Sequence, residues 1–173
     1  MIETHQNDLA LSDRVTRSKS SLRSAGILLY RGSGLSLEVL LVHPGGPFWS
    51  RRDAGAWSIP KGEYGPGEEP LDAARREFAE ELGSAPPLGE ASDLGEVRLK
   101  SGKSIRAWAL PGDLDPVSIT SNVFSVEWPP RSGRWQDFPE VDRAGWFAPE
   151  AAREKLNPAQ APLVDRLQEM LDA

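Results

Sequence analysis

The chain has 173 residues, 39% of them hydrophobic and 27% charged, which suits a single soluble globular domain with a core of its own. It has no cysteine, so disulfides, thiolate metal sites and cysteine nucleophiles are excluded. A net charge of −6 without a basic run argues against a nucleic-acid backbone as partner, and the apolar runs fall far short of the ~20 residues that cross a bilayer.

Residues 1–22 mix both charge signs with scattered leucines and no sustained period, which predicts a flexible N-terminal arm ahead of a domain over 23–173. No secretory pattern is visible in it, so a cytoplasmic address is the default. The alternative role for the arm is to cover a neighbouring subunit, as in a homodimer. Ala25–Tyr30 and Leu37–Val42 read as two strands joined by a tight connection through Arg31-Gly32-Ser33-Gly34. The second is almost wholly apolar, as in a strand covered on both faces.

His43 to Gly55 is a loop of glycine, proline and aromatic residues carrying Arg51 and Arg52. Read plainly it is a solvated surface loop. Its functional reading is a flap that offers two arginines to phosphate and Trp49 to a base. His43, at the end of a buried strand, is expected to be a hydrogen-bonded structural residue. Ala56–Ile59 predicts a short strand, and Pro60-Lys61-Gly62 leads into a loop rich in glycine.

A helix is predicted from Pro70, a good first-turn residue, to Gly83, a natural left-handed cap. Glu68 and Glu69 stand at its positive end. Leu94–Lys100 and Lys103–Leu110 flank Ser101-Gly102 as a hairpin. Asn122–Trp128 predicts a strand, RSGRWQDFPEVDR a polar loop, and Trp146-Phe147 a short last strand. Pro149–Leu156 predicts a helix, and Asn157-Pro158 the start of another with Leu163, Leu167, Met170 and Leu171 at helical spacing. Strands, helix, strands, helix make an α/β fold with a mixed sheet and helices on its faces. Of the tryptophans, Trp57, Trp108 and Trp146 fall in predicted strands and are expected in the core. Trp49, Trp128 and Trp135 lie in or beside loops and are better placed to stack on a base.

The chemistry concentrates in the first helix. Glu77, Glu80 and Glu81 fall within an arc of roughly 100° beside the apolar stripe of Leu71, Ala74, Phe78 and Leu82. Like charges at these spacings repel. Arg75 and Arg76 compensate in part, with Arg76 expected to point away from the arc. A bare E-x-x-E-E is usually a solvated helix face. A hard divalent cation would resolve the repulsion, since Mg²⁺ takes one or two carboxylates and completes its shell with water and substrate phosphate. Lys61 adds a point charge for a phosphate.

The surrounding spacing is more specific. Gly62, five residues, Glu68, seven residues, then Arg76-Glu77-Phe78-Ala79-Glu80-Glu81-Leu82-Gly83 resembles the Nudix box. Phe78 is aromatic where the pattern is commonly aliphatic, and Ser84 replaces an aliphatic residue. The resemblance implies an α/β/α sandwich and a pyrophosphohydrolase that uses Mg²⁺ or Mn²⁺ on a nucleoside diphosphate linked to another group. It implies Glu80 and Glu81 as metal ligands, Glu77 as a ligand or the general base, the Gly62 carbonyl as a further ligand, Arg76 as orienting a carboxylate, and Glu68 as assisting from outside. Many members use one more acid, for which Glu140 is preferred over Glu127. Pro60-Lys61-Gly62 is similar to the segment that opens the box in dinucleoside polyphosphate and diphosphoinositol polyphosphate hydrolases. The expected substrate is therefore a small nucleotide, a dinucleoside polyphosphate or a nucleoside triphosphate, with Lys61, Arg51, Arg52 and Trp49 in contact. Clean-up of damaged nucleoside triphosphates and a catalytically silent nucleotide sensor are the alternatives.

Overall fold

The apolar stretch that follows Arg23 becomes the hub of the sheet. A computed structural model describes residues 23–173, so the expected arm over 1–22 lies outside the described residues. Strand β1 (Arg23–Arg31) runs parallel to β5 (Ser104–Pro111) along its length. Its other edge is shared. The C-terminal end pairs with β2 (Glu38–Pro44) at Tyr30↔Val39 and Arg31↔Glu38, and the N-terminal end with β3 (Lys61–Glu63) at Ala25↔Gly62 and its neighbours. With β4 (Ser92–Arg98) beside β5 and β8 (Val141–Phe147) beside β2, the order is β4-β5-β1-β2-β8, with β3 against β1.

Period two sorts β1 between two cores. Ala25, Ile27 and Leu29 pack with Leu40, Trp108 and the helix α1 (Pro70–Leu82). Leu28 packs with Leu41, Ile105, Ala107 and the pair α2 (Pro149–Lys155) and α3 (Ala161–Asp172). The expected α/β sandwich with a mixed sheet is the observed one. Trp57 and Trp108 are buried, and Trp146 is partly buried with its indole N–H donating to Leu114 O at 2.9 Å. Among the described residues no helix is long and apolar enough to cross a membrane.

Three expectations need correction. Ala56–Ile59 is not a strand but a pair of isolated bridges, Val42↔Ser58 and Trp57↔Leu156. Its backbone is taken up by the helical layer, with Trp57 N donating to Lys155 O and Ile59 N to the buried amide of Gln160. The strand lies instead at Lys61–Glu63, in the expected loop. The segment RSGRWQDFPEVDR likewise holds β7 (Trp135–Pro139) and the start of β8. β7 pairs with β6 (Val123–Glu127) as a separate two-stranded sheet, largely exposed, so no apolar alternation announces it. Finally, α3 begins at Ala161. Asn157 accepts from the Ala159 amide at 3.0 Å and turns the chain between the two helices.

Candidate active site

Helix α1 presents its acids along the border of the sheet because Ala73, Ala74, Phe78 and Leu82 occupy its buried face. Pro70 stands in its first turn and Gly83 closes it in the left-handed region at φ 81°, donating to Ala79 O at 2.8 Å. The neighbouring backbone is that of β3. A β-carbon on Gly62 would lie 1.9 Å from the Glu77 carboxyl carbon, so only glycine lets that carboxylate rest on the strand. The amide of Lys61 donates to Glu81 Oε2 at 3.2 Å. β3 and α1 thus bring Lys61, Gly62, Glu77 and Glu81 together.

Arg76 does not point away from the acids, contrary to expectation. Its Nε and Nη2 clasp both oxygens of Glu68 at 2.9 and 3.0 Å. Its Nη1 donates to Glu77 at 2.9 Å and Glu80 at 3.2 Å, and Nη2 also donates to Glu63 O. A wheel of Cα positions cannot show this, because the long side chain reaches along the helix flank to the loop. The result is one guanidinium joining three carboxylates.

Electrostatics divide the acids. The bonds from Arg76 hold Glu68 below the usual carboxylate range. Burial pushes Glu81 up to about 8, moderated by the Lys61 ammonium. Burial also raises Glu77, against the bond from Arg76. Glu140 is raised by partial desolvation and by Glu80, and its own charge is felt by Glu77 and Glu81. Two adjacent carboxyls held above their ordinary range mark a site short of positive charge. Among the described residues no three carboxylates already converge as a ligand set. Arg76 and the Lys61 amide hold Glu77, Glu80 and Glu81 individually.

Glu140 reaches the cluster through backbone bonds. Asn122 N donates to Glu80 O at 3.0 Å, and Glu140 N donates to Asn122 O at 2.8 Å. Thr120 N donates to Leu82 O, so residues 120–122 latch the end of α1 beside the segment that bears Glu140. Sequence reading did not single out Asn122; its contribution is made by main-chain atoms and leaves no mark on residue type. Glu127, the other candidate, sits in the β6–β7 hairpin with its carboxylate on the Gly133 amide.

The loop after β2 remains apart from the acids in its contacts. Arg51, Arg52 and Trp49 are exposed, with the Arg52 guanidinium 5.4 Å from the Trp49 ring centre. His43 is fully buried, Nε2 donating to Arg52 O at 2.6 Å and Nδ1 meeting Asp142 Oδ1 at 2.8 Å. It fastens the loop, as expected of a structural histidine.

Residues 21–167 match the family model described as NUDIX domain. Among solved structures, an Ap4A hydrolase of C. elegans in a binary complex aligns with a TM-score of 0.61 at 21% identity, over 86% of this chain and 98% of its own. The NUDIX domain of Shewanella oneidensis NrtR, complexed with ADP ribose, aligns at 0.60 and 18% identity over 87% and 88%. A MutT protein from Methanosarcina mazei Go1 aligns at 0.55 and 20% identity over 86% and 93%. At such identities the likeness to these structures is one of fold.

Proposed function

Because this chain belongs to the NUDIX domain family and is a hydrolase of phosphoanhydride bonds, we propose that it cleaves a dinucleoside polyphosphate or a nucleoside triphosphate at the face formed by Gly62, Glu77, Glu80 and Glu81. The observation that carries this reading is the seating of Glu77 on Gly62 beside a Glu81 lifted to about 8. Carboxylates that are costly to ionise alone accommodate a divalent cation, and the donors available are all oxygens. Glu80, Glu81, Glu140 and the Gly62 carbonyl would hold Mg²⁺ or Mn²⁺, which leaves the Glu77 carboxylate to act on the attacking water. When bound, such an ion supplies Lewis-acid polarisation of a phosphoryl oxygen and eases deprotonation of water.

The chain's own groups then have distinct tasks. Glu77, raised by burial, is a better proton acceptor near neutral pH than an exposed carboxylate and serves as the general base. Arg76 orients Glu77 and Glu80, and Glu68 clasps Arg76 in turn. Lys61 meets a phosphate from the same strand that carries Gly62. Arg51, Arg52 and Trp49 receive the more distant parts of the substrate from their exposed loop.

The test is a panel of dinucleoside polyphosphates, nucleoside triphosphates, including oxidised ones, and nucleotide sugars, incubated with Mg²⁺ and resolved by product. The expected result is cleavage within a phosphate chain. Glu81→Gln should lower turnover by about 100-fold or more, the scale set by removing a catalytic group, while leaving the circular dichroism spectrum unchanged. Binding of the panel without cleavage would favour the sensor reading instead.

A further inference from the structure

The main chain of Glu140 is clamped from two sides. Its amide donates to Asn122 O at 2.8 Å, and its carbonyl accepts from Gly45 N at 2.9 Å. A β-carbon on Gly45 would lie 1.9 Å from Pro139 O, so the start of the loop after β2 rests directly on the residue before Glu140. The same loop carries Trp49, Arg51 and Arg52.

The strand pairing beside this clamp is irregular. β2 and β8 match one for one from Val39↔Phe147 to His43↔Arg143, after which Pro44 pairs with Val141. Asp142 is therefore the extra residue of a β-bulge, two positions from Glu140. Bulges of this kind re-aim side chains beside active sites. Val141 belongs to the core beneath α1 with Phe78 and Leu82. Asp142 instead meets His43, whose ring lies 5.2 Å from that of Trp57 in the opposite core. Both nitrogens of the buried His43 ring face oxygens, Arg52 O at 2.6 Å and Asp142 Oδ1 at 2.8 Å, so a proton lies in each contact. Arg143 Nε, at 4.0 Å from the same Asp142 oxygen, is the more distant partner.

We propose that Asp142, held by His43, is a positioning residue that aims Glu140 at the divalent cation. Glu140 is repelled by Glu80, so on a loose segment its carboxyl would swing away from the acids of α1. The extra residue of a bulge is unpaired in the ladder, and here its side chain pins it to the most deeply buried polar ring of the sheet. That pin sets the direction in which the chain passes from Glu140 into β8. His43 thereby joins Arg52, on the loop after β2, to the segment that bears Glu140. The inference rests on the reading of the acids as a cation site and adds the residue that fixes one of them.

The test is Mn²⁺ titration of the full chain without nucleotide, followed by electron paramagnetic resonance, in the parent, Asp142→Ala, Asp142→Asn and Glu140→Gln. The Asp142 side chain is 34% exposed, so circular dichroism of its variants should match the parent. Asp142→Ala should weaken Mn²⁺ binding by about tenfold, the scale of an outer-shell partner. Asp142→Asn keeps an acceptor for His43 and should restore most of that loss. In turnover, Asp142→Ala should lower kcat by a similar factor with KM little changed, because His43 still holds Arg52 O. A merely structural role would lower the urea midpoint and leave Mn²⁺ affinity intact. Parent-like Mn²⁺ affinity in Asp142→Ala, with binding weakened in Glu140→Gln, would overturn the proposal and leave the cation site standing. Equal losses in Asp142→Ala and Asp142→Asn would also overturn it. Parent-like affinity in Glu140→Gln would remove Glu140 from the cation site, and this inference with it.

Discussion

At the scale of single residues, the site depends on contacts that residue type alone explains only in part. Gly62 is fixed by contact: Gly62→Ala would drive a methyl group into the Glu77 carboxyl. Because that carboxyl is the end of a flexible side chain and can swing aside, we expect loss of hydrolysis in a product assay with a stability change within about 0.5 kcal/mol in urea unfolding. Arg76 works by geometry as well as charge. Arg76→Lys keeps the charge but not the fork, so kcat should fall by about 10–100-fold with KM changed far less. Glu81 links the site to pH. Its folded value of about 8 lies above the ordinary 4.5, so between those values the native state holds a proton that the unfolded chain has released. Stability of the metal-free protein should therefore decline as pH rises through that window. Thermal unfolding at stepped pH checks this, and Glu81→Gln should flatten the slope. A slope unchanged in the variant would assign it to other groups.

At the scale of elements, α1 was legible because its signals agree: a proline at the start, glycine at the end, and an apolar stripe of period 3.6 between them. β3 was not, since three residues among prolines and glycines carry no strand pattern and owe their state to pairing with β1. The β6–β7 hairpin was half legible. β6 has β-branched and aromatic residues, whereas the polar residues and terminal proline of β7 hide a strand that faces water. Arg76 and Asn122 were misread or missed because one acts through reach and the other through its backbone. The cap of α1 offers a test at this scale. Gly83 has φ 81°, and an added β-carbon would lie 2.5 Å from Thr120 O. Gly83→Ala should cost about 1–2 kcal/mol or more, the left-handed penalty with the clash added. It should also lower turnover, because residues 120–122 align Glu140 with the acids.

At the scale of the whole molecule, two cores on opposite faces of one sheet clamp β1, and the candidate site forms where β3 meets the edge of α1. The sheet holds Gly62 still while the helix aims the acids. The loop after β2 and the β6–β7 hairpin lie outside that frame, and under the proposed function they would meet the parts of the substrate beyond the phosphates. Fold and family were readable from one spaced motif; how the two exposed segments meet, with Phe48 edge-on to Trp128, was not, since it depends on tertiary contact alone. The central claim is that the acids on α1 and Gly62 together form a divalent cation site. Titration of Mn²⁺ followed by electron paramagnetic resonance, comparing the full chain with Glu80→Gln and Glu81→Gln, tests it most directly. The account predicts saturable binding to the parent chain, weakened by about tenfold or more in each variant. Binding of equal strength in all three proteins would contradict it.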